Sequence, residues 1–346
     1  MIEYKKKKIL LQSGGMRNFY YKVTSNGKKK QISKIEYLNK KGGVPSDSKN
    51  KNFEVPIKNM KELFPNRNNW NKESSHPYIL ITCGPTGSGK SSLIDKSLRY
   101  LKLEKPLDEN IFIIDNLVEE HPNYKEKSKN ILEKYFSNTK PNGIKQKIIN
   151  LLHTPINNTN NSIFKKFTDA YFNTRKKGLS DILNRKINLA IKNNENFILE
   201  TTGKSFPTII GWTNDKYKVF ISYSLVEFCT LIDRNIKRMI DQIELFLKNN
   251  SFAPRLPDIR FQKFGEAVTI ILQKLIAIID KCNSGICKTN RNFDTSTDRK
   301  FNLLIFDNTP NNDNDFIIFD SNDKSKNLDK IKEMIMNTYQ KKNKCE

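Results

Sequence analysis

Nothing in the 346 residues approaches the uninterrupted apolar run of about 18 residues that a membrane-spanning helix requires. Met1–Leu10 is Lys-rich and lacks the apolar centre of a signal peptide, so neither secretion nor membrane insertion is expected. Histidine is scarce, with 3 residues, and the five cysteines (Cys83, Cys229, Cys282, Cys287 and Cys345) are odd in number and scattered. Such a pattern fits a reducing compartment rather than a disulfide framework, and the expectation is a cytoplasmic protein. Four residues separate Cys282 from Cys287 with no His nearby, a spacing poorly suited to zinc. Negative charge is also short: 37 Asp and Glu face 61 Lys and Arg, a formal net charge of +24. Apolar residues make up only 36%, yet 21 Phe and 12 Tyr supply enough bulk for a core. Asn, Lys and Ile are used as heavily as AT-rich codons would dictate, so part of the positive charge reflects composition rather than a ligand.

The charge is uneven. Residues 1–75 hold 16 Lys and 2 Arg against 6 acidic residues, a net +12, half of the whole excess. Lys5 to Lys8, the aromatic run Phe19-Tyr20-Tyr21 and Lys28 to Lys30 around Asn26-Gly27 suggest a small hairpin, Phe19–Val23 against Lys30–Ile35. Interleaved Lys and aromatic residues can pair phosphates and stack on bases, so nucleic acid is one candidate partner of residues 1–75. The other reading is a solvated, partly disordered leader.

From residue 76 to 346 the texture is that of one folded domain. Tyr78–Cys83 is an apolar run of strand length, as expected of a strand buried on both faces of a parallel sheet. Ser91–Leu103 reads as a helix, Asn110–Asp115 as a second strand, Asn196–Glu200 as a third and Tyr217–Tyr223 as a fourth. Helical periodicity runs unbroken through Ile163–Asn193 and returns over Leu225–Leu247 and Ile259–Asp280. Phe301–Phe306 and Phe316–Phe319 suggest a closing hairpin, Leu328–Tyr339 a last helix, and Asn138–Asn161 an irregular, Asn-rich insertion. Strands alternating with helices predict an α/β fold with a mostly parallel sheet.

Gly84-Pro85-Thr86-Gly87-Ser88-Gly89-Lys90-Ser91 satisfies G-x-x-x-x-G-K-[ST] in full, after an apolar strand and before a helix. Its glycines let successive N–H groups turn inward toward phosphate oxygens, and the helix adds its positive end. Lys90 is expected to reach the β- and γ-phosphates from a solvent-filled site, and the Ser91 hydroxyl to ligate Mg²⁺. The implied fold is the three-layer sandwich of P-loop NTPases, with ATP and Mg²⁺ as cofactors. No guanine-recognition N/T-K-x-D motif stands out, and Phe197–Thr202 offers one acid, Glu200, where helicases and AAA machines carry two.

Five patches, in order, resemble the zeta-toxin-like kinases: the loop itself; Ile113-Ile114-Asp115-Asn116 with His121-Pro122-Asn123-Tyr124; Leu199-Glu200-Thr201-Thr202-Gly203; Leu231-Ile232-Asp233-Arg234; and Ala253-Pro254-Arg255-Leu256-Pro257. The likeness spans residues 78–340. It implies transfer of the ATP γ-phosphate to a sugar hydroxyl of UDP-N-acetylglucosamine or a related nucleotide sugar. Glu200 and Thr202 would hold that small-molecule acceptor, and Arg234 and Arg255 would sit on the ATP phosphates. Family toxins are held by an antitoxin partner, which this chain does not reveal. The catalytic acid departs from the family pattern, because Leu117 occupies its place by ungapped match. Asp115 serves as base, or Glu119 moves into position, or catalysis has been lost. His121 and Tyr124 either pack or bind. Ser13–Gly43 resembles Lys-rich leaders of large DNA virus proteins, which would add the virion to the host cytoplasm as a location. The alternatives from other classes are a P-loop kinase or ATPase gripping nucleic acid through residues 1–75 and a non-catalytic nucleotide-binding homologue.

Overall fold

The computed structural model describes residues 76–153, 162–203, 216–249, 254–280, 282–283, 286–289, 299–309, 317–323 and 327–340, and the backbone of three strands between 3 and 32. The chain divides into two compact units, Met1–Pro56 with Asn290–Thr297, and Ile57–Thr289 with Asp298–Glu346.

In the smaller unit β1 (Glu3–Leu10), β2 (Met16–Val23) and β3 (Lys29–Ile32) form an antiparallel sheet in that order. β2 pairs with β3, Tyr20 opposite Ile32 and Val23 opposite Lys29, whereas Ser33–Ile35, expected in the second strand, lie outside the described residues. Sequence reading assigned no strand to Glu3–Leu10, because four consecutive lysines carry none of the apolar–polar alternation that marks one. In the structure β1 pairs with β2 along its length, Lys5 opposite Tyr21 and Lys7 opposite Phe19.

The larger unit is built on β4 (Tyr78–Cys83), β5 (Ile111–Phe112), β6 (Phe197–Thr201), β7 (Lys218–Leu225), β8 (Cys282–Asn283), β9 (Ile286–Thr289), β10 (Arg299–Asp307) and β11 (Ile317–Asp320). Five strands run parallel in the order β5–β6–β4–β7–β10. At β10 the sheet turns antiparallel, pairing with β11 and with the β9–β8 ladder. The helices are α1 (Lys90–Leu101), α2 (Ile114–Glu120), α3 (Pro122–Phe136), α4 (Pro141–His153), α5 (Ile163–Arg175), α6 (Leu179–Lys192), α7 (Phe228–Asn249), α8 (Phe261–Ile279) and α9 (Leu328–Gln340).

Every residue of β4 is buried, because both faces of the sheet are covered. Tyr78 and Leu80 pack with Ile198, Phe220 and, from α1, Ile94 and Leu98. Ile79, Ile81 and Cys83 point the other way, into a larger core with Phe197, Leu199, Val219 and Ile221. Side chains of α2 to α9, among them Val118, Tyr124, Ile144, Phe164, Ile187, Met239, Val268 and Ile331, line that second core. The result is the expected three-layer α/β sandwich with a mostly parallel sheet. Period-two burial along the strands, worth about 1.5–3 kcal/mol per large apolar side chain, fixes which residues face which layer.

Four expectations need correction. The Asn-rich stretch is not irregular throughout: α4 occupies Pro141–His153 and buries Ile144, Ile148 and Leu152, spaced four apart on one face, while residues 154–161 lie outside the described residues. The long helix over Ile163–Asn193 is two helices, because Gly178 adopts φ +86°, a backbone that ends one helix and starts the next. The second strand stops at Phe112 and α2 starts at Ile114, so Asp115 rides the first turn of a helix rather than a strand end. The thiols are not uniformly reduced either: Cys229 and Cys282 are disulfide-bonded, and Cys83 is free and buried. Among the described residues no helix is long and apolar enough to cross a membrane.

Candidate active site

Ligands of open α/β sheets bind beyond the C-terminal ends of the strands, where β4, β6 and β7 here end at Cys83, Thr201 and Leu225. Gly84–Gly89 loops over that edge before α1 begins at Lys90. Gly87 holds φ +81°, and a Cβ there would run into the Asn235 amide and approach the Leu231 carbonyl to 3.0 Å. The loop is held from behind through its carbonyls. The Asn235 amide donates to Thr86 O at 3.0 Å, the Asn308 amide to Ser88 O at 2.7 Å and Ser224 Oγ to Ser88 O at 2.5 Å. Ser88 N–H bonds Pro85 O at 3.2 Å. With those carbonyls engaged, the loop's other N–H groups and the α1 terminus are left to meet an anion. Asn235, Asn308 and Ser224 were missed from sequence, since each is more than 130 residues away from the loop it supports.

Lys90 departs from expectation in its surroundings. Its side chain is only 12% exposed, bonded to Pro85 O at 3.3 Å and lying 3.7 Å from Glu200 Oε1. Burial pulls its pKa below the ordinary lysine value, against the opposing pull of Glu200 and Asp115. A desolvated ammonium next to the loop is a stronger partner for a phosphate than one in water. Glu200, at the end of β6, therefore meets Lys90 directly, whereas Thr202, just beyond the strand, is exposed.

Asp115 is the centre of a second cluster. It accepts hydrogen bonds from Tyr171 of α5 and from Arg255, whose guanidinium also lies 5.0 Å from the Tyr171 ring centroid. Burial pushes the Asp115 carboxyl up, but the Arg255 charge, the bonds from Tyr171 and Arg255, and Lys90 together hold it below the usual carboxylate range. The Arg255 loop is itself anchored: Arg255 N–H donates to Gln242 Oε1 at 3.2 Å, and the buried Tyr124 hydroxyl donates to Pro254 O at 3.2 Å. Tyr124 thus packs and anchors at once. His121 caps α3, its Nδ1 accepting from Asn123 N–H at 3.1 Å with Pro122 at the first helical position. Leu117 packs against the core. Of the three acids on α2, Asp115 is electrostatically coupled to Lys90, and Glu119 to Arg255 and Arg238.

The depressed Asp115 carboxyl carries a pH signature. A carboxyl with a folded pKa below its unfolded value of about 3.8 adds stability that is fully present above that value and lost as pH falls through the folded pKa. The melting-temperature gap between wild type and Asp115→Asn should hold constant from about pH 7 to about pH 5 and shrink only below about pH 4. A gap that closes between about pH 7 and about pH 5 would contradict the pairing.

Arg234 donates to Asn308 O at 2.8 Å, and Asn308 in turn holds the loop, so Arg234 is tied to Gly84–Gly89 through one residue. Ser91 is exposed in the first turn of α1. Among the described residues no three His, Cys, Asp or Glu side chains converge as a metal centre. The donor set suits a hard cation only in the P-loop manner, through the Ser91 hydroxyl and the nucleotide's own phosphate oxygens, and that chemistry fits Mg²⁺.

A doubly covered parallel sheet, with a glycine-rich loop turning over its middle strand into a helix that starts at lysine, decides the fold class. This is a P-loop NTPase-like fold. No protein-family model matches the chain, and no curated protein matches it. Among solved structures, one from the PezAT chromosomal toxin–antitoxin system of Streptococcus pneumoniae is 12% identical with a TM-score of 0.41, over 79% of this chain and 87% of that one. A candidate kinase from Chloroflexus aurantiacus is 12% identical with a TM-score of 0.27, over 59% of this chain and 98% of that one. Likenesses at that level carry no argument, and the fold class rests on the strand order and the loop.

Proposed function

We propose that the chain is an ATP-dependent phosphotransferase of the zeta-toxin-like class, which moves the γ-phosphate to a hydroxyl of a small acceptor, a nucleotide sugar. The observation that carries this reading is the convergence of Lys90, Glu200, Asp115 and Arg255 beside the phosphate loop. An ATPase site needs only the cradle and a water. Here two carboxylates stand on the side away from Asn308, where a second substrate's hydroxyl could be oriented.

In this reading the acceptor oxygen attacks the γ-phosphorus, the bond to the β,γ-bridging oxygen breaks, ADP leaves and the hydroxyl proton passes to Asp115. Phosphoryl transfer runs through a loose transition state, so positioning and charge neutralisation outweigh proton abstraction. A low-pKa Asp115 suits that role, orienting the hydroxyl and taking its proton late. Lys90 meets the phosphoryl oxygens from the loop side. Arg255 has further N–H donors beyond the one on Asp115, and Arg234 flanks the nucleotide. Mg²⁺, when bound, would neutralise the β- and γ-phosphates.

The test is ATP turnover with a panel of UDP-sugars. A phosphorylated sugar is the expected product. Tight ATP binding with no phosphorylated sugar under any condition would overturn the reading.

A further inference from the structure

Tyr171 belongs to no motif in the sequence, yet it touches both members of the Asp115–Arg255 pair. Its hydroxyl donates to Asp115 Oδ1, while Arg255 donates to Asp115 Oδ2. The same guanidinium lies 5.0 Å from the centroid of the Tyr171 ring. One side chain thus supplies a charge-assisted hydrogen bond to the carboxylate and a π face to the cation. Each carboxylate oxygen keeps a further lone pair, so the group is oriented at both ends without being blocked.

Core filling does not account for the hydroxyl. On α5, Phe164, Phe167, Ala170 and Thr174 lie in the buried stripe, whereas Tyr171 is half-buried at its edge. Phe172 meets the Tyr171 ring edge-on, with centroids 5.5 Å apart and planes at 88°. Consecutive residues of α3 then brace the cluster from two sides. Asn123 donates to Thr174 Oγ1 at 3.0 Å, which fixes α5 just beyond Tyr171. Tyr124 donates to Pro254 O at 3.2 Å, next to Arg255. The tyrosine and the arginine it supports are therefore held by one helix.

We propose that Tyr171 is a positioning residue for phosphoryl transfer, its hydroxyl setting the orientation of the Asp115 carboxylate and its ring the plane of the Arg255 guanidinium. This rests on the phosphotransferase reading and adds a residue outside every patch that carries the family resemblance. Tyr171 acts only through Asp115 and Arg255, which meet the reacting atoms in that reading. Transfer through a loose transition state depends on placement more than on proton abstraction, so a group that places base and cation together has a large effect on rate. Because hydroxyl and ring have separate partners, two substitutions tell their contributions apart: Tyr171→Phe removes the hydroxyl alone, and Tyr171→Leu removes the ring as well.

The measurement is the initial rate of phosphoryl transfer from ATP to UDP-N-acetylglucosamine by the full chain, well below each variant's melting temperature. Rates are normalised to the concentration of sites that bind a non-hydrolysable ATP analogue, so that misfolded protein does not count. Tyr171→Phe should lower kcat at least about tenfold and leave KM for both substrates within about twofold. Tyr171→Leu should cost a further threefold or so, as Arg255 loses its support. In an Asp115→Ala background, Tyr171→Phe should change kcat by less than about twofold. In an Arg255→Ala background, Tyr171→Leu and Tyr171→Phe should be equal within about twofold. A tyrosine that only stabilises the fold would lower the melting temperature and leave normalised kcat unchanged. That result, or losses that multiply undiminished in both backgrounds, would overturn the proposal while wild type remains active. A wild type that makes no phosphorylated sugar would instead refute the phosphotransferase reading, and the role of Tyr171 in transfer with it.

Discussion

Arg255→Ala is expected to lower phosphoryl transfer about 10³-fold while ATP affinity falls by no more than about tenfold. The asymmetry follows from where the guanidinium stands. It is fixed by a backbone bond to Gln242, by Tyr171 beneath it and by Asp115 beside it, so in the proposed reaction it would meet the migrating charge already oriented. Arg255→Lys should not restore the rate, because an ammonium offers neither the planar fork nor the same stacking on Tyr171. The stability cost should be modest, about 1–2 kcal/mol, since Arg255 and Asp115 side chains are 24% and 28% exposed and water screens the pair. Turnover within about threefold of wild type would show that Arg255 only holds α2 and α5 together.

Lys90→Ala is the second large effect. Turnover should drop about 10²–10³-fold, as the transition state loses a fixed cation against the migrating charge. The fold should survive at a cost of about 3 kcal/mol. The substitution removes an ammonium whose burial already disfavours its charge, but it leaves the Glu200 carboxylate, 12% exposed and 3.7 Å from Lys90, buried without its partner. Wild-type-like turnover in Lys90→Ala would mean that the loop does not bind the transferring phosphate.

The phosphate loop was legible in the sequence because its determinants are local. An apolar strand, the glycines and the lysine follow one another within 14 residues, and the backbone has little choice once they do. Asp115, Glu200 and Arg255 were legible only as members of patches whose order resembled a family. Their meeting depends on β6 lying between β4 and β5, and on a loop 140 residues from Asp115 folding back over it. Tyr171 gave no signal, being one aromatic among several on a helix that reads as core-facing. Asn235 and Asn308 were hidden for a related reason: in a chain so rich in asparagine, two that brace the loop's carbonyls look like any others. Gly178 and the buried stripe of α4 were readable in principle, but the first was overrun by strong flanking periodicity and the second masked by its polar neighbours.

The most direct measurement of the central claim is a ³¹P NMR time course of the full chain with ATP, Mg²⁺ and UDP-N-acetylglucosamine. The account predicts that ADP and a new phosphomonoester on the sugar grow together in equal amounts, about 10²–10³ times more slowly with Lys90→Ala and not at all without Mg²⁺. ATP that stays intact, or inorganic phosphate that accumulates with no phosphorylated sugar, would contradict it.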